Sequence, residues 1–89
     1  MMKLSKAQSE ILRMMATGWE LGLSMTMDGG FWIQKGGLGR GGDSQNVHHG
    51  TAGALENRGL IERCEYSFPT QRLRLTEAGR IEGMKEVER

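Results

Sequence analysis

The chain contains one cysteine, one proline and five aromatic residues in 89 positions, and each scarcity excludes something. A lone Cys64 rules out an intramolecular disulfide, so packing alone has to hold the fold, and a reducing compartment suits it; the expected location is cytoplasmic. No apolar run approaches the roughly 18 residues of a membrane span. Met1 to Ser5 opens no apolar leader segment, so a soluble protein without a membrane partner is expected. Charge of one sign is also missing: twelve basic side chains face eleven acidic ones, for a net charge of +1, where a phosphate-binding surface usually brings a basic excess. Up to Leu75 there are nine basic and seven acidic residues, and from Thr76 onward three and four, so the slight positive excess lies outside the last segment. Eighty-nine residues suffice for one modest core, and a single domain over 1–89 is expected.

Chemistry-bearing constellations are equally sparse. No nucleophile, base and orienting group fall into a recognisable set, so an enzyme is not expected. His48 and His49 with Cys64 make a poor metal site, because adjacent residues on a helix point about 100° apart and no fourth ligand is evident. Neither a metal nor a cofactor is expected. The segment Gly36–Ser44 has five glycines in nine residues, yet no lysine precedes Ser44 as a phosphate-binding loop would need. It reads as a flexible connector in which Arg40 could reach a phosphate.

Against these absences stands clear patterning. Ser5 with Gln8 forms a capping box, and Leu4, Ala7, Ile11, Met14 and Met15 recur at helical spacing, which predicts a helix over about Lys6–Thr17 with those residues inside. The period then changes to two: Trp19, Leu21, Leu23, Met25 and Met27 alternate with polar or small residues, Asp28-Gly29-Gly30 reads as a hairpin turn, and Phe31–Lys35 as the returning strand. A second helix is predicted from Gln45 to Arg58, capped by Asp43 or Ser44 and closed by Gly59, with Val47, Thr51, Ala54, Leu55 and Arg58 toward the core. Gln45, His49, Ala52, Gly53 and Glu56 then form its outer face, with Asn46, His48 and Asn57 at the margins. Two strands follow around a turn at Phe68-Pro69, Cys64 and Tyr66 facing inward on the first, Leu73 and Leu75 inward and Arg72 and Arg74 outward on the second. Thr76 caps a last helix to about Val87 that is expected to bury Ala78, Ile81, Met84 and Val87.

The stretch Thr51-Ala-Gly-Ala-Leu-Glu-Asn-Arg-Gly-Leu-Ile-Glu-Arg63, followed by Arg72-Leu-Arg-Leu-Thr-Glu-Ala-Gly-Arg80, resembles the winged-helix part of MarR-like regulators over about the last forty residues. The helix, hairpin, helix, wing and closing-helix layout is also similar to that of the small bacterial YjhX-type toxins. The resemblance implies an α+β winged-helix-like domain that binds double-stranded DNA as a small regulator, and it implies a homodimer formed through terminal helices. Where MarR-like proteins place a bracing helix before the recognition helix, this chain has a hairpin and a glycine loop. Amides near a recognition-helix start can pair with adenine, which makes Gln45, Asn46 and His49 the candidate base contacts. Lys35, Arg40, Arg63, Arg72 and Arg74 are the candidate phosphate contacts. The competing reading is a protein-interaction domain of phage or mobile-element type, an inhibitor of a host defence complex or a toxin-type regulator, that has kept the layout without binding DNA. Phe31 and Trp32, adjacent on a strand and facing opposite ways, are its candidate contacts.

Overall fold

A computed structural model describes residues 3–27 and 29–88. The chain is an α+β domain in which three helices accompany a five-stranded antiparallel sheet of order β3-β2-β1-β5-β4. Helix α1, Lys6–Ala16, begins at the expected capping box: Ser5 Oγ accepts from the Gln8 amide at 3.1 Å and Gln8 Oε1 accepts from the Ser5 amide at 3.3 Å. Its inward residues are Ile11 and Leu12, with Leu4, Met14 and Met15 half-buried against the core. Ala7, expected inside, is exposed, and Leu12, not expected there, is fully buried. Two neighbours cause this shift, since α1 packs on the sheet along one line and on the last helix along another.

Strands β1, Trp19–Ser24, and β2, Phe31–Lys35, pair from Trp19↔Lys35 to Leu23↔Phe31. The alternation read through Met27 stops at Ser24, whose amide donates to Gly30 O, and Met25 and Met27 stand exposed in the connecting loop. Asp28 of the expected hairpin turn lies outside the described residues. Gly29 is required by close approach: a Cβ there would lie 2.0 Å from the Ser24 carbonyl oxygen.

The largest departure comes next. Ser44–Val47 is an edge strand, β3, paired with β2 from Phe31↔Val47 to Gln34↔Ser44, and helix α2 covers only His49–Asn57. His48 is its cap, with Nδ1 accepting from the Gly50 amide at 3.0 Å, so neither Asp43 nor Ser44 caps it. Pairing with β2 gives the backbone of this segment its partners at once, and Val47 enters the core from a strand. Ala52 is fully buried beside Leu55, contrary to its expected place on the outer face. Downstream the expected C-terminus is met: Gly59 has φ +73°, its amide donates to Glu56 O and the Leu60 amide donates to Leu55 O, the paired bonds of a Schellman motif.

Strands β4, Ile61–Ser67, and β5, Thr70–Leu75, form the second hairpin, with a register shift between Arg63 and Tyr66. Cys64 and Tyr66 are both exposed, against the inward alternation expected of them: Cys64 shares the face of Glu62, opposite to that of buried Ile61, and Tyr66 lies beyond the shift, opposite Gln71. Helix α3, Glu77–Val87, is capped as expected by Thr76, whose Oγ1 accepts from the Gly79 amide and donates to Gly59 O. Its buried residues are Gly79 and Gly83, while Ala78, Ile81, Met84 and Val87 are exposed. Backbone proximity explains the reversal. A Cβ on Gly79 would lie 1.8 Å from Leu60 O, and one on Gly83 would lie 3.0 Å from both Leu12 O and Ala16 Cβ, so no large side chain fits on that face.

Leu21, Ile33, Val47, Ile61 and Leu73 share one sheet face and build the core with Ile11, Leu12, Ala52, Leu55 and Leu60. On the opposite face the glycine loop folds back. Leu38 is 8% exposed and lies over Gly22 and Trp32; a Cβ on Gly22 would come within 2.8 Å of Leu38 Cδ1. Polar ties hold the loop there: Leu38 N donates to Glu20 Oε1, Gly39 N to Gln34 Oε1, Gln34 Nε2 to Gly42 O and Lys35 N to Asp43 O. No helix among the described residues is long and apolar enough to cross a membrane.

Candidate interaction surface

The residues expected to contact DNA are distributed by the sheet rather than gathered. Gln45 and Asn46 are neighbours on β3 and therefore project to opposite faces. Gln45 Nε2 turns toward the helices, 3.9 Å from Met14 Sδ, whereas Asn46 sits opposite Trp32. His49 lies in the first turn of α2, its ring stacked on His48 with centroids 4.5 Å apart. All three belong to the sheet end where Phe31 meets Val47. Lys35 is at the other end of β2, opposite Trp19, about 13 Å away along the strand at the usual rise per residue. Arg40 belongs to the loop that leaves from that same end, its side chain alongside Gly37.

The three arginines of the β4–β5 hairpin are each matched to a carboxylate. Arg63 Nε meets Glu56 Oε2 at 3.0 Å, Arg72 Nη1 meets Glu20 Oε1 at 2.8 Å, and Arg74 Nε meets Glu62 Oε2 at 2.8 Å. The hydrogen bond and charge of Glu62 push the Arg74 pKa above its ordinary value, so that guanidinium is cationic at any working pH. Exposed ion pairs of this kind add little stability, but they cancel the local positive field a phosphate would need. Of the two aromatics expected to anchor a partner, Phe31 packs half-buried on the core and Trp32 lies half-buried beneath Leu38. Among the described residues no three His, Cys, Asp or Glu side chains group as a metal site.

A different set of side chains projects instead. The β1–β2 loop and the β4–β5 turn lie side by side, since Ser24 pairs with Thr70 and the Met25 amide donates to Pro69 O at 2.7 Å. This juxtaposition presents Met25, fully exposed Met27, Tyr66 and Phe68 (74% exposed) at one end of the sheet. Beside them is a hollow of about 490 Å³ between Gly29, Gly30, Phe31, Asn46, His48 and His49. The sequence has no Lys or Arg in 23–31, 46–51 or 64–71, the three segments that build this end. A signal for it exists in the sequence: Met25 and Met27 outrun a strand of ordinary length, and Phe68 occupies a tight turn that has no interior to offer it.

No protein-family model matches the chain, and neither a curated protein nor a solved structure matches it. The functional reading therefore rests on the geometry of the chain itself.

Proposed function

We propose that this chain is a protein-interaction domain of winged-helix-like layout, which docks on a partner protein through the apolar loop end. The observation that carries this reading is the projection of Met25, Met27, Tyr66 and Phe68 from a surface without Lys or Arg, next to a hollow that a partner side chain can enter. Exposed apolar patches mark association sites, and aromatic residues and Met are enriched in them. Within this reading the segment from α2 through the β4–β5 hairpin to α3 is the winged half, while β3 occupies the place of a bracing helix. Support for the DNA-binding alternative is weaker: Gln45 and Asn46 diverge, Lys35 and Arg40 lie at the far end from His49, and Arg63, Arg72 and Arg74 are each paired.

The test is site-specific photo-cross-linking in the producing cell, with the photoreactive group at position 68 and, as a control, at exposed position 58. A discrete protein adduct at 68 that is lost in Met27→Ser, and absent at 58, supports the proposal. Equal adducts at both positions, or none at 68, sink it. In parallel, binding of the purified protein to a mixed double-stranded DNA pool at two salt concentrations is expected to be absent; binding that weakens steeply with salt and falls in Arg72→Ala/Arg74→Ala would restore the DNA reading instead.

A further inference from the structure

The sheet parts down its middle. Strands β1 and β5 pair only from Leu21↔Leu73 to Ser24↔Thr70. Beyond Leu21, Trp19 and Glu20 continue with β2, while Arg74 and Leu75 continue with β4, so the two strands diverge toward the end that carries α3. The divergence opens a cleft of about 350 Å³. Met15, Trp19, Leu21, Leu38, Leu73 and Leu75 make up its apolar half, and the other half is charged apart from Cys64. Leu21 and Leu73 are core residues, 0% and 4% exposed, so the floor of the cleft is the interior of the domain.

Charge in the cleft is uneven. Arg72 and Arg74 line it with their partners satisfied at Glu20 and Glu62. Arg80, in the first half of α3, lines the same space and has no ion-pair partner among the described residues. With Arg72 paired to Glu20 and Arg74 to Glu62, Arg80 and Glu65 are the lining charges left without a salt bridge among the described residues, one of each sign. A volume near the lower bound for small-molecule sites, an aliphatic floor and a guanidinium without an ion-pair partner suit an amphiphile with an anionic head.

We propose that this cleft binds an aliphatic monoanion of medium chain length, its chain against Leu21, Leu73, Leu75 and Met15 and its anionic head on Arg80. The inference is independent of the protein-docking surface, which lies at the opposite end of the sheet.

Trp19 lines the cleft and Trp32 does not, so a Trp32→Phe variant leaves one fluorophore at the site. Octanoate, below its micellar range, is titrated into this variant, with two-dimensional amide spectra of the wild type alongside. A saturable change in Trp19 emission is expected, with the largest amide shifts at residues 19–21 and 73–75. Binding weakens by up to about fourfold for each methylene removed on going to butanoate, in line with the usual worth of a buried methylene. Arg80→Ala weakens it about fivefold or more while the thermal melt stays unchanged, Arg80→Lys recovers part of the loss, and 1-octanol binds worse than octanoate. The proposal is overturned by an absence of saturable change up to millimolar octanoate, by equal affinity for 1-octanol, by an Arg80→Ala variant that binds as the parent does, or by shifts centred on the loop end or on the outer face of α3. Octyl phosphate and nonanoate, which carry the same eight-carbon chain, then tell a phosphate head from a carboxylate.

Discussion

The α1–α3 seam and the loop end treat apolar surface in opposite ways. At the seam, Gly79 and Gly83 are buried because the helix backbone itself comes against Leu60 O, Leu12 O and Ala16, leaving no room for a large side chain. At the loop end, Met25, Met27, Tyr66 and Phe68 are among the largest apolar side chains in the chain, and all are exposed. Helix α3 shows both treatments on its two sides, glycines within and Ile81, Met84 and Val87 without. Burial here follows how closely backbones approach, and side-chain size decides only what is left to fill afterward.

If that contrast is right, the largest effect belongs to the smallest change. Gly79→Ala puts a methyl group against a carbonyl oxygen with no flexible atom to yield, and is expected to cost roughly 3 kcal/mol or more in a urea melt, or to prevent folding. Leu55→Ala, in the centre of the core, should cost about 3 kcal/mol through lost contacts and an unfilled cavity, measured the same way. Thr76→Ala removes both the α3 cap and the bond to Gly59 O, and a loss of about 1 kcal/mol is expected. Gly83→Ala should cost less than about 1 kcal/mol, because the gain in helix propensity offsets contacts that are close but not prohibitive. Smallest of all in stability is Phe68→Ser, within about 0.5 kcal/mol of the parent, as suits an exposed side chain. A Phe68→Ser variant that unfolds early, or a Gly79→Ala variant that melts with the parent, would break the comparison.

Local signals in the sequence were legible. The Ser5/Gln8 box, the Gly59 terminus, the Thr76 cap and strands β1, β2, β4 and β5 all answer to residues within a few positions of one another. What escaped depends on distant partners. Ser44-Gln-Asn-Val47 has three polar residues in four and no alternation of its own, and becomes a strand only because β2 lies beside it. The inward face of α3 could not be read from hydropathy, since its large residues point out and the reason, Leu60 O, lies nineteen positions before Gly79. Among the candidate contacts, the arginine periodicity of β5 was visible. Its neutralisation was not, because Glu20 lies 52 positions from Arg72 and Glu62 lies 12 from Arg74.

The sheet order also has a consequence for how the chain reaches this structure. Strands β1, β2 and β3 form one consecutive meander and β4 and β5 another, and every ladder within each joins neighbours along the chain. Within the sheet, only the four residue pairs between β1 and β5 link distant segments. Long-range closure therefore falls on that zipper, which ends where the sheet divides, and on the seam where α1 packs against α3. Two locally formed ribbons are thus tied together by four rungs, residues 21–24 with 70–73, and by the packing of the first helix on the last.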